Sequence, residues 1–217
     1  MKEQEFFQRQ FNVSCETMEK FRLFEKNLIF WQRKRNLISV NSLKKIWIRH
    51  FSDCAQTLPL LDHAFFRRDK KKKKILDVGS GAGLPGVVLA LLLKDTNSED
   101  TISLLEANKK KTEFLKEICL DLNLNSEILH NRVEKINIDD YHVIVARAVA
   151  PLNKFFDLFK SKPIENISFI LPKGKSWREE VSQFKKKWQF NKLVVKNITS
   201  IDKSGGVQLL FKDLKRI

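Results

Sequence analysis

Apolar positions in the first third of the chain recur at helical spacing. Phe21, Phe24, Leu28 and Trp31 fall on one face of a helix. Ser14 is placed to cap it, with Glu16 in the first turn, where the helix dipole favours an anion. Arg33, Lys34 and Arg35 follow at its C-terminal end. A second short helix is predicted over Leu43–Leu58, stopping before Pro59 because proline pushes the preceding residue out of helical geometry. Residues 1–66 therefore read as a helical N-terminal region.

From Ile75 the period changes. Short apolar runs at Ile75–Val78, Thr101–Leu105, Glu127–Leu129, Val143–Val145 and Ser168–Leu171 read as strands. Between them lie an apolar helix from Pro85 to Leu93 and an amphipathic one over Lys109–Leu122, with Phe114, Leu115, Ile118 and Leu122 on one face. Leu152–Phe159 and Trp177–Trp188 also carry helical periodicity, and Leu193–Val195 and Val207–Phe211 bracket Ser204-Gly205-Gly206 as a closing hairpin. This alternation predicts an α/β domain over residues 67–217, a Rossmann-like parallel sheet covered by helices on both faces. An antiparallel last strand is tolerated at the edge of such a sheet.

The chemistry concentrates in Asp77-Val78-Gly79-Ser80-Gly81-Ala82-Gly83-Leu84-Pro85-Gly86, between the first predicted strand and its helix. An open α/β sheet binds its ligand there. Glycines let a ligand lie against the main chain, and Pro85 suits a first helical turn. Gly81–Gly86 also satisfies GxGxxG, which by itself is a weak dinucleotide signal. Asp77 points elsewhere: a carboxylate before the glycines does little for a pyrophosphate but can hold an ammonium, directly or through water. S-adenosylmethionine carries an ammonium, a sulfonium and an adenosine, and no phosphate. Glu106, ending the second strand, is placed to accept bonds from both ribose hydroxyls, as the acid of NAD-binding proteins also does.

Composition narrows the partners. With 42% hydrophobic residues the chain has material for a core, and a net charge of +15 favours a polyanionic partner such as nucleic acid. The lysine run Lys70–Lys74 is a solvated stretch that also has a place at the edge of an RNA-binding face. Phenylalanine occurs 17 times and tyrosine once, which makes the aromatics core material more than a stacking platform. Cys15, Cys54 and Cys119 are odd in number with no CxxC pair, and His63, His130 and His142 lack ligand spacing, so neither a disulfide framework nor a metal is expected. No apolar run is long enough for a bilayer, and the opening residues lack a signal-peptide pattern, so a cytoplasmic location is expected.

DVGSGAGLPG, LLEANKKKTEFLKE, NRVE, ARAVAPL and LPKGK, in that order, resemble the RsmG (GidB) family of bacterial small-subunit rRNA methyltransferases. The segment from Trp31 to Leu61 resembles the same family's N-terminal signature. The resemblance implies a Rossmann-like class I S-adenosylmethionine-dependent methyltransferase sheet behind a small helical region. It also implies methyl transfer to N7 of a guanine in the decoding-region loop of 16S rRNA, with that RNA or the small ribosomal subunit as partner. Carried over by motif, Gly79 and Leu84 line the cofactor pocket, Val133 and Glu134 flank the adenine, and Arg147 lies by the reacting end. The chain departs from the pattern at Cys54, where serine is commoner, at Ala107, and at Leu171-Pro172-Lys173.

Guanine N7 has a free lone pair and no proton to lose, so geometry rather than a strong base carries its methylation. The expected roles follow: Asp77 on the ammonium, Gly79, Gly81 and Gly83 giving close approach, Glu106 on the ribose, and Arg147 and Lys173 donating to guanine O6 or a phosphate. His50 and Asp53, three apart on one face of the second predicted helix, are either a satisfied interfacial pair or residues abutting the cofactor cleft. Two alternatives stay open: an NAD-linked oxidoreductase on a similar sheet, for which no Tyr-Lys or His-Asp constellation is visible, and a non-catalytic RNA-binding module. A monomer is the default expectation for oligomeric state.

Overall fold

Strands β1 (Lys74–Val78), β2 (Thr101–Glu106), β3 (Ile128–His130), β4 (Val143–Val145), β5 (Ser168–Lys173), β6 (Trp188–Asn197) and β7 (Val207–Arg216) form one sheet in the order β3-β2-β1-β4-β5-β7-β6. The first five pair in parallel, and β7 and β6 close the sheet antiparallel. The computed structural model describes residues 3–64, 72–198 and 206–217. Strand order reverses between β1 and β4, and the C-terminal ends of these two strands are where such a sheet opens a crevice.

Period two sorts the strand residues between two cores. Ile75, Leu104, Val143 and Ile170 face one cluster; their neighbours Leu76, Leu105, Ile144 and Phe169 face the other. The first cluster holds α6 (Gly86–Asp95), α7 (Lys109–Asp121) and the N-terminal helices α1 (Glu3–Phe11) and α2 (Cys15–Gln32). The second is packed by α8 (Leu152–Asp157) and α9 (Trp177–Phe184), with Phe156 among Phe169, Phe184, Trp188 and Phe211. Phe7, Phe21, Phe24 and Phe51 are fully buried in the same cluster as β1 and β2, so the N-terminal region shares a core with the sheet. The N-cap forms as expected, Ser14 Oγ accepting from the Thr17 amide at 3.2 Å, and the Ser14 hydroxyl in turn donates to Asp95 on α6.

The second predicted helix is not one helix. α3 (Val40–Leu43) is followed by a π-turn over Trp47–Ser52, α4 (Asp53–Ala55) and α5 (Leu58–Ala64). Ser52 Oγ donates to the Trp47 carbonyl at 2.7 Å, a side-chain bond that competes with a regular helical ladder. Pro59 does not stop a helix here; it sits in the first turn of α5, where no amide donor is needed. The helix predicted over Trp177–Trp188 ends at Phe184, and Trp188 opens β6. Arg67–Lys71 of the basic run and Ser204 and Gly205 of the predicted hairpin turn lie outside the described residues; Lys74 opens β1 and pairs with Asp140 at 3.1 Å. Among the described residues no helix is long and apolar enough to cross a membrane.

Candidate active site at the glycine loop and the β4 and β5 ends

The turn from β1 into α6 is built on backbone that only glycine adopts cheaply. Gly79, Gly81 and Gly83 have φ of 73°, 55° and 77°. The amides of Gly79 and Ser80 both donate to the Leu105 carbonyl, at 2.9 and 3.0 Å, which ties the loop to β2. Gly86 is needed for space: a Cβ there would lie 2.3 Å from Leu104 Cδ2 and 2.5 Å from Asp77 Oδ2.

Asp77 lies beneath this loop at 0% exposure, its Oδ2 accepting from the Gly86 amide at 3.0 Å. Its Oδ1 is buried without a partner among the described residues. Burial pushes the carboxyl up to about 7, against the opposing hydrogen bonds from Ser80 and Gly86. Direct contact with an ammonium therefore requires the loop above it to move.

Glu106 faces the same loop from the end of β2. Its Oε2 accepts from the Gly81 amide at 2.9 Å and its Oε1 from the Asn108 amide at 2.7 Å. Asn108 then caps α7 by accepting from Lys110 and Lys111. A carboxylate has about four acceptor sites, so roughly two stay open after these bonds. A Cβ on Gly81 would make ordinary contacts with the Gly79 carbonyl at 3.6 Å and with Glu106 Oε2 and Lys111 Nζ at 3.9 Å, so this glycine is required by its positive φ rather than by space. Leu84 is buried, Val133 sits in a 3-10 turn in the same core cluster as Val78 and Leu105, and Glu134 beside it is exposed.

The segment after β4 crosses the loop. Ala148 takes φ 56°, a left-handed conformation that costs a non-glycine residue about 1 kcal/mol or more. Val149 Cγ2 lies 2.8 Å from where a Cβ on Gly79 would be, so Gly79 is also required for this close approach.

Arg147 and Lys173, predicted from separate motifs, line one cavity of about 700 Å³ together with Arg49, Asp53, Val149 and Lys175. Lys173, last residue of β5, donates to the Ala150 carbonyl at 2.8 Å and to Glu180 Oε2 at 2.9 Å. Glu180 also accepts the Leu152 amide at 3.0 Å. Arg147 donates to the Arg49 carbonyl at 2.7 Å and to Cys54 Sγ at 3.2 Å, with Asp53 Oδ2 at 4.0 Å.

His50 is not half of a satisfied pair, while Asp53 lines the cavity beside Arg147. The π-turn removes the regular helical face, and neither ring nitrogen has a partner among the described residues although the side chain is buried. Burial, reinforced by Arg147 and Arg49, drives its pKa down to about 3, so the ring is neutral. The sequence reading missed Arg49, Cys54 and Glu180 as partners of the two cations. Only Cys54 left a trace, as a departure from the family pattern. Among the described residues no cluster of His, Cys, Asp and Glu could hold a metal.

The fold has relatives among solved structures. The N-terminal domain of human METTL16, solved with SAH, matches with a TM-score of 0.55 at 10% identity over 74% of this chain and 69% of that one. A mutant of MtNAS in complex with S-adenosylmethionine matches with a TM-score of 0.56 at 13% identity, covering 89% and 74%. In sequence, the ribosomal RNA small subunit methyltransferase G of Rickettsia bellii is 34% identical over 87% of this chain and 91% of its own. That of Bartonella tribocorum is 36% identical over 89% and 86%, and that of a Ruegeria species 31% identical over 95% of each chain. The family described as rRNA small subunit methyltransferase G matches residues 17–209, and with that span and these relatives the chain belongs to the GidB family.

Proposed function

We propose that this chain transfers the methyl group of S-adenosylmethionine to N7 of a guanine in the decoding-region loop of 16S rRNA. The observation that carries the reading is the meeting of Arg147 and Lys173 in one cavity beside the segment that overlies the glycine loop. The residues present fit the cofactor: Glu106 keeps acceptor sites for two ribose hydroxyls, and Asp77 Oδ1, buried and without a partner among the described residues, becomes an acceptor for the ammonium when the loop above it moves. Bound there, it supplies an electrophilic methyl group.

The chain's own residues then have physical tasks. Gly79, Gly81 and Gly83 let the ligand approach the backbone, while Leu84, Val133 and Glu134 flank its adenine. Arg147 and Lys173 present N–H donors to guanine O6 or an adjacent phosphate and hold N7 in line with the methyl group. Each of these two cations is itself held by a carboxylate, Asp53 for Arg147 and Glu180 for Lys173. N7 needs no deprotonation, and positioning by cations suits such a base atom. The chain's substrate is 16S rRNA or the small ribosomal subunit. Cleavage-based mapping of N7-methylguanine in 16S rRNA after incubation with the protein and S-adenosylmethionine tests the reading. A single new site in the decoding region is expected; methylation of a different atom, or none, would overturn it.

A further inference from the structure

Arg147 belongs to the sheet, yet its guanidinium is held from the N-terminal region. Three of its neighbours come from one six-residue stretch: the Arg49 carbonyl at 2.7 Å, Cys54 Sγ at 3.2 Å and Asp53 Oδ2 at 4.0 Å. These contacts span 98 and 93 positions of sequence for the two hydrogen bonds. Arg49 lies in the π-turn over Trp47–Ser52 and offers its backbone carbonyl, while Asp53 and Cys54 lie in α4, which follows directly, and offer side chains. π-turns of this kind cluster at functional sites.

The stretch is itself anchored. Gln208 of β7 donates to the Asp53 carbonyl at 3.1 Å, and Gln56 donates to the Ser52 carbonyl at 3.2 Å. Cys54 is fully buried, and burial raises its thiol to about 11, so it meets Arg147 as a neutral acceptor. The opposing charge comes from Asp53. A guanidinium has five N–H donors, of which Arg49 and Cys54 take two, and Arg147 lines the cavity.

We infer that Cys54 and Asp53 are positioning residues for Arg147: the π-turn and the start of α4 in the N-terminal region fix the plane of the guanidinium in the substrate cavity. The inference rests on the proposed function, in which Arg147 faces the target guanine. It makes the N-terminal region part of the catalytic apparatus, acting through Arg147 without touching the reacting atoms.

The test compares Cys54→Val, which keeps the volume and removes the acceptor, with Cys54→Ser, which restores one, and adds Asp53→Asn. Rates are measured at saturating S-adenosylmethionine and small subunit. Misplacing a positioned group by an ångström costs up to about 100-fold. A loss of about 10-fold is expected for Cys54→Val and for Asp53→Asn, with Cys54→Ser within about 2-fold of the parent. Each change is also made on an Arg147→Ala background, which separates positioning from general destabilisation. If Cys54 acts through Arg147, Cys54→Val costs nothing further there. Equal losses with and without Arg147, or full rates in Cys54→Val and Asp53→Asn, overturn the inference. Full activity of Arg147→Ala alone would instead remove the proposed role of Arg147 on which it rests.

Discussion

Glu106 Oε2 accepts the amide proton of Gly81 at 2.9 Å, so the acid that ends β2 also shapes the turn that follows β1. The same carboxylate holds Asn108, the cap of α7, through its other oxygen. One side chain thus ties the glycine turn to the start of α7.

Glu106→Gln should therefore weaken the cofactor more than its small change in shape suggests. The amide has one acceptor oxygen where the carboxylate has two, so either Gly81 or Asn108 loses its partner. Hydrogen bonds to a charged group contribute about 1.5–3 kcal/mol, which corresponds to a roughly 10- to 100-fold rise in Kd. Isothermal titration with S-adenosylmethionine or its demethylated product measures this; an unchanged Kd would remove Glu106 from the binding site.

Gly86→Ala tests the space beneath the loop. The added methyl would overlap Leu104 and the Asp77 carboxylate at 2.3 and 2.5 Å. Overpacking of this kind costs about 1–3 kcal/mol, expected as a lower urea midpoint at unchanged m-value. A wild-type midpoint would show that the loop relaxes freely.

Asp77 and His50 give opposite pH signatures. The Asp77 carboxyl stands at about 7 in the folded protein against 3.8 when free, so the folded state holds its proton more tightly. Its contribution to stability is complete below about 4 and is lost as pH rises through about 7. His50 is lowered from 6.5 to about 3, so its contribution is complete above about 6.5 and is lost as pH falls toward 3. Asp77→Asn should flatten the fall between pH 4 and 7, and His50→Leu should flatten the loss toward acid. Unfolding free energies by urea across this range check both; parallel curves for parent and variant would contradict the burial of that group.

Glu180→Ala leaves Lys173 with the Ala150 carbonyl as its remaining contact in the site and frees the Leu152 amide. The expected result is a fall of about 10-fold in kcat/KM for the small subunit, from lost orientation of the ammonium. Cofactor affinity should hold, since the bonds Glu180 makes are to Lys173 and Leu152 and the glycine loop is tied instead to Leu105 and Glu106. A loss confined to cofactor binding would place Lys173 elsewhere.

Most elements were legible because their signals are local. The strand over Val143–Val145 was read to the residue, and the stripe of Phe21, Phe24 and Leu28 is buried as its spacing predicts. Ser14 caps its helix because a hydroxyl at that position has amides close by to satisfy. The region around Trp47–Ala55 was misread for the opposite reason. Its winding depends on Ser52 bonding back to Trp47 and on Gln208, far away in sequence, holding the Asp53 carbonyl.

By itself the sequence determined the alternating α/β order, the glycine turn with its flanking acids, and the family to which those motifs belong, since periodicity, backbone preference and side-chain type are properties of short stretches. Only the tertiary structure decided that Asp77 is sealed under the loop, that Val149 lies over Gly79, and that a π-turn reaches across to grip Arg147. Those outcomes depend on which surfaces meet when two faces of one sheet are covered, and burial and distant hydrogen bonds, unlike spacing, are written in no single stretch of chain.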